Sequence, residues 1–360
     1  MKNFSLLLIS ILCLSCSKDK FSITGIFPDN SYDSTYVYMW TFIDNEVIDS
    51  SLVTNGKFYF EGKVDSIVPV ALIHRKRVVE RPIIEKGDIY IDAVSCELRG
   101  TPSNNKLGKF LSDYSSVMER YTEELDVIKN TEELSKEEKE IKSEEVSDKY
   151  NAIFDSFALP VITENKDNYV GLLTYLTMVR FYTDEQIISR YELLGNEMQE
   201  NNYARRFYKA AIAAAATSPG NKFTDFRIEN GRIGGGSVSL SEYVGNGKLT
   251  LVDFWGSWCY PCLMSFPGLK KMYEKYPEDK FQILGISVSD TETGSMSAIN
   301  KYELPWDNII NAESIPIEFY GIQTFPTYIL FDPAGIILER WEGFARNEIE
   351  KSIENSLENN

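Results

Sequence analysis

The sequence predicts an α/β fold for the C-terminal part of the chain, preceded by a small antiparallel β-sandwich and an α-helical middle region. Three changes of pattern carry that expectation. From Phe21 to about Gly100, short aromatic and β-branched runs alternate with turn residues; from Ser103 to about Ser218, apolar residues recur in steps of three and four; beyond Asn221, strand-like and helix-like runs alternate. The expected divisions are 1–16 for a leader, 21–102 for the β-domain, 103–218 for the helices and 219–360 for the α/β domain. A chain of 360 residues is long enough for two or three sizeable cores.

Lys2 followed by the apolar run Phe4 to Leu14 reads as a secretory signal, too short to cross a bilayer as a helix. The run ends at Ser15 and Cys16, with polar Ser17 to Lys20 behind them, and so resembles a bacterial lipoprotein site that would carry lipid on Cys16. Cys13 departs from it, standing where such sites prefer leucine. The resemblance implies a lipid-anchored protein of the cell envelope, facing the periplasm, with the serine after Cys16 leaning towards the outer membrane. A net charge of −17 argues against nucleic acid as a partner and against electrostatic adhesion to anionic lipid. Membrane contact is expected through the lipid.

In the β-domain, Thr35 to Ile43 is rich in strand formers, and Ser50 to Glu61 reads as a hairpin turning at Asn55-Gly56. Val68 to Ile73 and Ile83 to Ile91 supply further strands. The basic run His74 to Arg77 holds the single histidine and reads as a solvated loop without a role. Cys96 alternates with Val94 and Leu98, the pattern of a buried structural thiol.

Leu107, Leu111, Tyr114, Met118, Tyr121, Leu125 and Ile128 mark an amphipathic helix. Ser135 and Glu138 form a capping box for a second one, charged through Lys149 and apolar from Tyr150 to Val161. An antiparallel helical hairpin with a solvated tip is expected, followed by helices over 169–181, 184–194 and 201–216. Nothing catalytic is visible there.

Ser218 to Asn221 breaks the composition, and Gly234 to Gly236 reads as a hairpin tip, lacking the lysine and context of a phosphate loop. Leu249 to Trp255 is a buried strand that stops at Gly256. A helix begins near Cys262 and continues through Phe266, Leu269, Tyr273 and Tyr276 to Pro277. Phe281 to Val288 is a strand, Thr293 to Tyr302 a helix, and Thr327 to Phe331 pairs with Ile336 to Trp341 across Asp332 to Gly335.

Two sulfurs thus stand at a helix start. The partial positive charge and free N–H groups there favour thiolate over thiol, and thiolate is the nucleophile of disulfide exchange. Cys259 is expected to attack, and Cys262, one turn deeper on the same face, to resolve. Zinc needs about four ligands, and a Cys–His nucleophile needs a base closer than His74, so neither alternative fits the pair. Asp253 lies inside the apolar strand, and a buried carboxylate is costly unless paired or functional.

The run Asp253 to Cys262, with Trp255, Trp258 and Pro261 in register, resembles the thioredoxin signature. Pro267 matches the proline that kinks the family's active-site helix, and Gly321 to Asp332 is similar to the segment whose proline, here Pro326, is cis and faces the cysteines. The lead-in Ser239 to Tyr243 resembles TlpA-like thiol-disulfide oxidoreductases, and the stretch before Gly100 resembles the β-domain ahead of such domains in envelope lipoproteins. The redox resemblance runs from about Asn221 to Glu348.

The resemblance implies a protein-disulfide reductase or isomerase with Cys259, Cys262 and Asp253 as catalytic residues, Asp253 assisting proton transfer at Cys262. It further implies substrate docking on Trp258, Tyr260, Pro261, Phe325 and Pro326, no cofactor and no metal. Its partners would be protein disulfides and an upstream membrane or periplasmic electron donor. Ser265 departs from the pattern, standing where TlpA-like proteins usually carry glutamate, and Tyr260-Pro261 lacks the histidine of strongly oxidising relatives. Two alternatives stay open: an envelope-anchored binding or scaffold protein whose front domains dock a partner, and a peroxiredoxin-like peroxide reductase.

Overall fold

A computed structural model describes residues 19–41, 46–95 and 97–358. The leader, Cys16 and Cys96 lie outside the described residues. Among the described residues no helix is long and apolar enough to cross a membrane. The chain divides into two compact units, one running to Phe181 and taking in Leu193–Asn202, the other comprising Tyr182–Glu192 and the chain from Tyr203 onward. Packing therefore distributes the helices between 103 and 218 over both units.

The first unit begins with strands β1 (Lys20–Ile26), β2 (Tyr36–Thr41), β3 (Val47–Leu52), β4 (Lys57–Lys63), β5 (Val68–His74), β6 (Arg77–Glu80), β7 (Ile83–Ile84), β8 (Gly87–Asp92) and β9 (Glu97–Arg99). They form one sheet in the order β4-β1-β8-β9 and another in the order β3-β2-β5-β6, with β7 also on β5. Alternation along the strands buries Ile23, Phe58, Phe60, Ile89 and Ile91 in the first sheet and Val37, Met39, Val70 and Leu72 in the second. The pairing is antiparallel except between β1 and β8, which run parallel.

Three local expectations change here. Asn55 and Gly56 do form a tight turn, with φ of 52° and 67°, but β3 pairs with β2 and β4 with β1, so the turn passes the chain between sheets. His74 is buried at the end of β5, because the strand's two-residue period turns it inward; its Nε2 lies 2.9 Å from Thr35 Oγ1, and burial pushes its pKa down. The solvated turn is Arg75-Lys76, both at positive φ. Val94 sits in a turn and is 61% exposed, so it does not share a strand face with Leu98.

Helices α1 (Pro102–Asn130) and α2 (Lys136–Glu164) follow. Contacts pair Phe110 with Phe157, Tyr121 with Tyr150 and Glu124 with Lys149, an order that makes the helices antiparallel. The capping box opens α2: Glu138 N–H donates to Ser135 Oγ at 3.2 Å, and Ser135 N–H to Glu138 Oε2 at 2.8 Å. Helix α3 (Tyr169–Met178) continues into a 3-10 turn that carries Phe181, whose ring lies 4.6 Å from that of Phe154. Helices α4 (Asp184–Leu193), α5 (Asn196–Gln199) and α6 (Asn202–Ala216) complete the stretch, with Tyr191 of α4 stacked 4.1 Å from Tyr208 of α6.

The second unit continues with β10 (Arg227–Ile228) and β11 (Val238–Ser239), a short hairpin whose tip is Gly234 to Gly236, all at positive φ. Then come β12 (Leu249–Trp255), α7 (Tyr260–Lys275), β13 (Phe281–Ser287), α8 (Glu292–Tyr302), β14 (Asp307–Ile309), α9 (Ile315–Tyr320), β15 (Thr327–Phe331), β16 (Ile337–Glu342) and α10 (Arg346–Glu358). The sheet order is β14-β13-β12-β15-β16, the first three parallel and the last two antiparallel to their neighbours. This is a thioredoxin-like α/β fold.

Strand β12 is buried along its whole length because helices cover both faces. Leu249, Leu251 and Trp255 face Phe266, Leu269 and Met272 of α7 and Ile349 and Ile353 of α10. Val252 and Phe254 face the opposite way, towards Leu240 and Tyr320. Each fully buried side chain of this size contributes roughly 1.5–3 kcal/mol by leaving water. The turn after β12 is thereby fixed in position.

Candidate active site

Cys259 is the N-cap of α7 and is joined to Cys262 by a disulfide with the Cα atoms 5.3 Å apart. The Cys262 N–H donates to Cys259 Sγ at 3.2 Å, so the first sulfur already occupies the position where a helix start accepts negative charge. Pro261 sits in the first helical turn, where a missing N–H removes no helical bond. Cys262 is fully buried and Cys259 is 5% exposed.

The rim around the pair is apolar and open. Trp258 and Tyr260 are 54% and 70% exposed. The Trp258 indole donates from Nε1 to Ser289 O at 3.1 Å and meets the Phe325 ring edge-on with centroids 5.2 Å apart. That contact brings the Phe325-Pro326 segment, whose peptide bond is cis, beside the residue preceding Cys259. A Cβ on Gly256 would stand 2.7 Å from the indole, which is why a glycine precedes the turn.

Asp290, unmarked in the sequence reading, holds this turn. Its Oδ2 accepts from Ser257 N–H at 2.6 Å and from Ser287 Oγ at 3.2 Å, and its Oδ1 accepts from Ser257 Oγ at 2.9 Å. The signal available was a polar Ser287-Val-Ser-Asp290 run directly after a buried strand.

Asp253 points to the α7 face, since it alternates with Leu251 and Trp255 on β12. It is fully buried, and neither carboxyl oxygen has a hydrogen-bond partner among the described residues. Desolvation holds its pKa well above the ordinary carboxylate range. Its direct partner across the sheet is Tyr328 of β15, whose hydroxyl is also pushed up, first by burial and then by the Asp253 charge. Ser265, three residues beyond Cys262, donates from Oγ to Cys262 O at 2.7 Å. Among the described residues no group of His, Cys, Asp and Glu could hold a metal ion. The geometry thus assembles Cys259, Cys262, Trp258, Tyr260, Pro261 and Phe325 around one turn, with Asp253 buried two residues before the end of the strand that leads into it.

Residues 219–340 match the AhpC/TSA family, and residues 21–107 match a domain of unknown function, DUF4369. The thiol-disulfide oxidoreductase ResA of Bacillus thuringiensis subsp. konkukian is 28% identical over 109 residues, covering 30% of this chain and 62% of that protein. The chain thus spans less than two thirds of that relative's length. The protein of the same name from Halalkalibacterium halodurans is 28% identical over 137 residues, covering 38% of this chain and 73% of the relative. Among solved structures, the thioredoxin domain of a thiol-disulfide oxidoreductase from Bacteroides vulgatus is 28% identical with a TM-score of 0.34, covering 38% of this chain and 96% of that one. A thiol-disulfide oxidoreductase from Bacteroides fragilis is 29% identical with a TM-score of 0.34, covering 38% and 99%.

Proposed function

We propose that this chain, whose residues 219–340 form a thioredoxin-like domain of AhpC/TSA type, is a thiol-disulfide oxidoreductase that reduces or isomerises protein disulfides. The observation that carries the reading is the placement of Cys259 as the N-cap of α7, bonded to Cys262 and accepting its N–H. That placement lowers the cost of a thiolate at Cys259 whenever the disulfide is open.

In the reducing direction, the Cys259 thiolate attacks one sulfur of a substrate disulfide, and the other substrate sulfur leaves as thiolate. Cys262 then attacks Cys259 Sγ, the mixed disulfide breaks, and the second substrate sulfur leaves. Two electrons have passed to the substrate and the Cys259–Cys262 bond has formed. An upstream dithiol donor restores the reduced pair. Asp253, in the role proposed here, takes the proton that Cys262 sheds. Trp258, Tyr260, Pro261, Phe325 and Pro326 receive the polypeptide flanking the substrate disulfide, and the absence of a cationic residue between the cysteines favours reduction over oxidation.

We further propose, from the apolar leader and Cys16, that this activity belongs to a lipid-anchored protein of the cell envelope facing the periplasm. The test is Cys262→Ser in the full chain, incubated in its reduced form with disulfide-bonded proteins and resolved without reductant. Covalent adducts through Cys259 are the expected result; their absence, with the wild-type chain unable to reduce insulin disulfides, overturns the reading.

A further inference from the structure

Between α7 from Met264 onward, Tyr328 of β15 and the start of α10 lies a cavity of about 190 Å³. Met264 and Phe344 form its exposed lip, Ser265 and Tyr328 are its polar groups, and Lys271 and Arg346 stand at its edge. The redox scheme above does not use it.

Three placements converge on this cavity. Asp253 and Tyr328 are direct partners in the β12–β15 ladder, so their side chains leave the sheet on one face with Cβ atoms about 5 Å apart. The Asp253 oxygens have no partner among the described residues, and a buried polar group in that condition needs one when it gains or loses a proton. Ser265 lies beside the Tyr328 hydroxyl, and both side chains line the cavity wall.

We propose that Tyr328, with Ser265, is the positioning residue of a proton path between Asp253 and this cavity; the proposal rests on the disulfide-exchange reading. When Cys262 attacks the mixed disulfide, its thiol proton passes to Asp253, the Cys259–substrate bond breaks, the Cys259–Cys262 bond forms, and the substrate sulfur leaves with the electron pair. Asp253 must then release that proton. The neighbouring strand β13 offers Gly285 at this level, and α10 offers Ile349 and Ile353, none of which can carry it. Titratable groups on the face of the sheet that Asp253 shares include its ladder partner Tyr328 from β15 and Cys259 and Cys262 from α7, with Arg346 and Lys271 at the edge of the cavity. The Tyr328 hydroxyl, which is not bonded to either Asp253 oxygen, takes the proton across one water and passes its own to Ser265 and cavity water, so that no charge remains on the ring.

Tyr328→Phe keeps the ring and removes the hydroxyl. In the full reduced chain, stopped-flow fluorescence with a disulfide peptide separates formation of the mixed disulfide from its release. Formation at the wild-type rate is expected, with release slowed on the order of tenfold and partly restored by rising imidazole or formate concentration. Ser265→Ala should slow release in the same buffer-sensitive way but less. Release at the wild-type rate with an unchanged pH profile in both variants overturns the proposal. So does a slowing that buffer leaves untouched, which marks a packing effect. A wild-type chain that forms no mixed disulfide overturns the exchange reading instead.

Discussion

Asp290 holds Ser257 at two points, accepting its main-chain N–H at 2.6 Å and its hydroxyl at 2.9 Å, and so ties the cysteine turn to the end of β13. Both bonds belong to a residue two before Cys259, and the 33 residues that separate the partners make the tie a tertiary one. Asp290→Ala should lower stability by about 1–3 kcal/mol, because the Ser257 donors are left unpaired in a half-buried turn. Urea unfolding measures the loss. Asp290→Asn, which keeps one acceptor, should recover part of it; a fully stable alanine variant would show that the turn is held by packing alone.

Gly256 sets the position of the exposed indole. Gly256→Ala would place a Cβ 2.7 Å from the Trp258 ring, which must move off the Ser289 carbonyl and away from Phe325. The expected cost is about 1–3 kcal/mol, the usual range for overpacking. Disulfide exchange with peptide substrates should fall with a shift in tryptophan emission, and an unaltered emission spectrum would count against the displacement.

The cysteine pair was legible because its chemistry is local: a strand end, a turn and a helix start fall within one contiguous run from Leu249 to Cys262. The helical hairpin was legible for the same reason, since the Ser135–Glu138 cap and the apolar steps on each helix are short-range signals. What the sequence hid is set by partners far along the chain. Tyr328 becomes relevant through its register opposite Asp253, and no local pattern distinguishes it from the other apolar residues of β15. Asn55-Gly56 was legible as a turn, but the choice of sheet for the strands on either side is made by β1 and β2. Likewise the positive charges of Arg75 to Arg77 suggested solvent for the whole run, while the period of β5 carries His74 inward.

Burial makes His74 a pH-sensitive element of the first unit. Its pKa is lowered from the ordinary 6.5, mainly by desolvation, with the Arg75 charge adding to it. The unfolded chain therefore binds the proton more readily, so stability is lost as pH falls below 6.5 towards the lower folded value. Phe27 and Tyr32, with ring centroids 5.1 and 5.4 Å away, offer the imidazolium little compensation beyond their faces. Denaturant unfolding of the wild type at pH 7.5 and 5.0 should show this loss. In His74→Gln the difference should shrink; an equal pH dependence in both would assign it to another group.

Asp253 titrates with the opposite sense. Desolvation raises its folded pKa, so the folded chain binds the proton more tightly than the unfolded chain. The stability this contributes is complete below the ordinary carboxylate pKa and is lost as pH rises through the folded value. Asp253→Asn removes that loss and should be more stable than wild type at neutral pH, while slowing the resolving step of exchange. A variant less stable than wild type at pH 7 would mean that the carboxylate is satisfied when charged.

Gly321 closes α9 in the left-handed conformation, and a Cβ there would lie 2.2 Å from Ala210 O and 2.8 Å from the Ala214 side chain. Helix α6 thus packs directly against the chain that leads to Phe325-Pro326, and its small residues permit the approach. Sequence pattern suggests cutting at 219, yet such a fragment removes Ala210, Ala211 and Ala214 from their buried positions. At about 0.8 kcal/mol per buried methyl, the loss is on the order of 2 kcal/mol. A fragment spanning 182–360 keeps α4 and α6 and should melt at the higher temperature, with a better-ordered cis-proline segment and faster exchange. Equal melting temperatures for the 182–360 and 219–360 fragments would show that α6 contributes nothing to the second unit's stability.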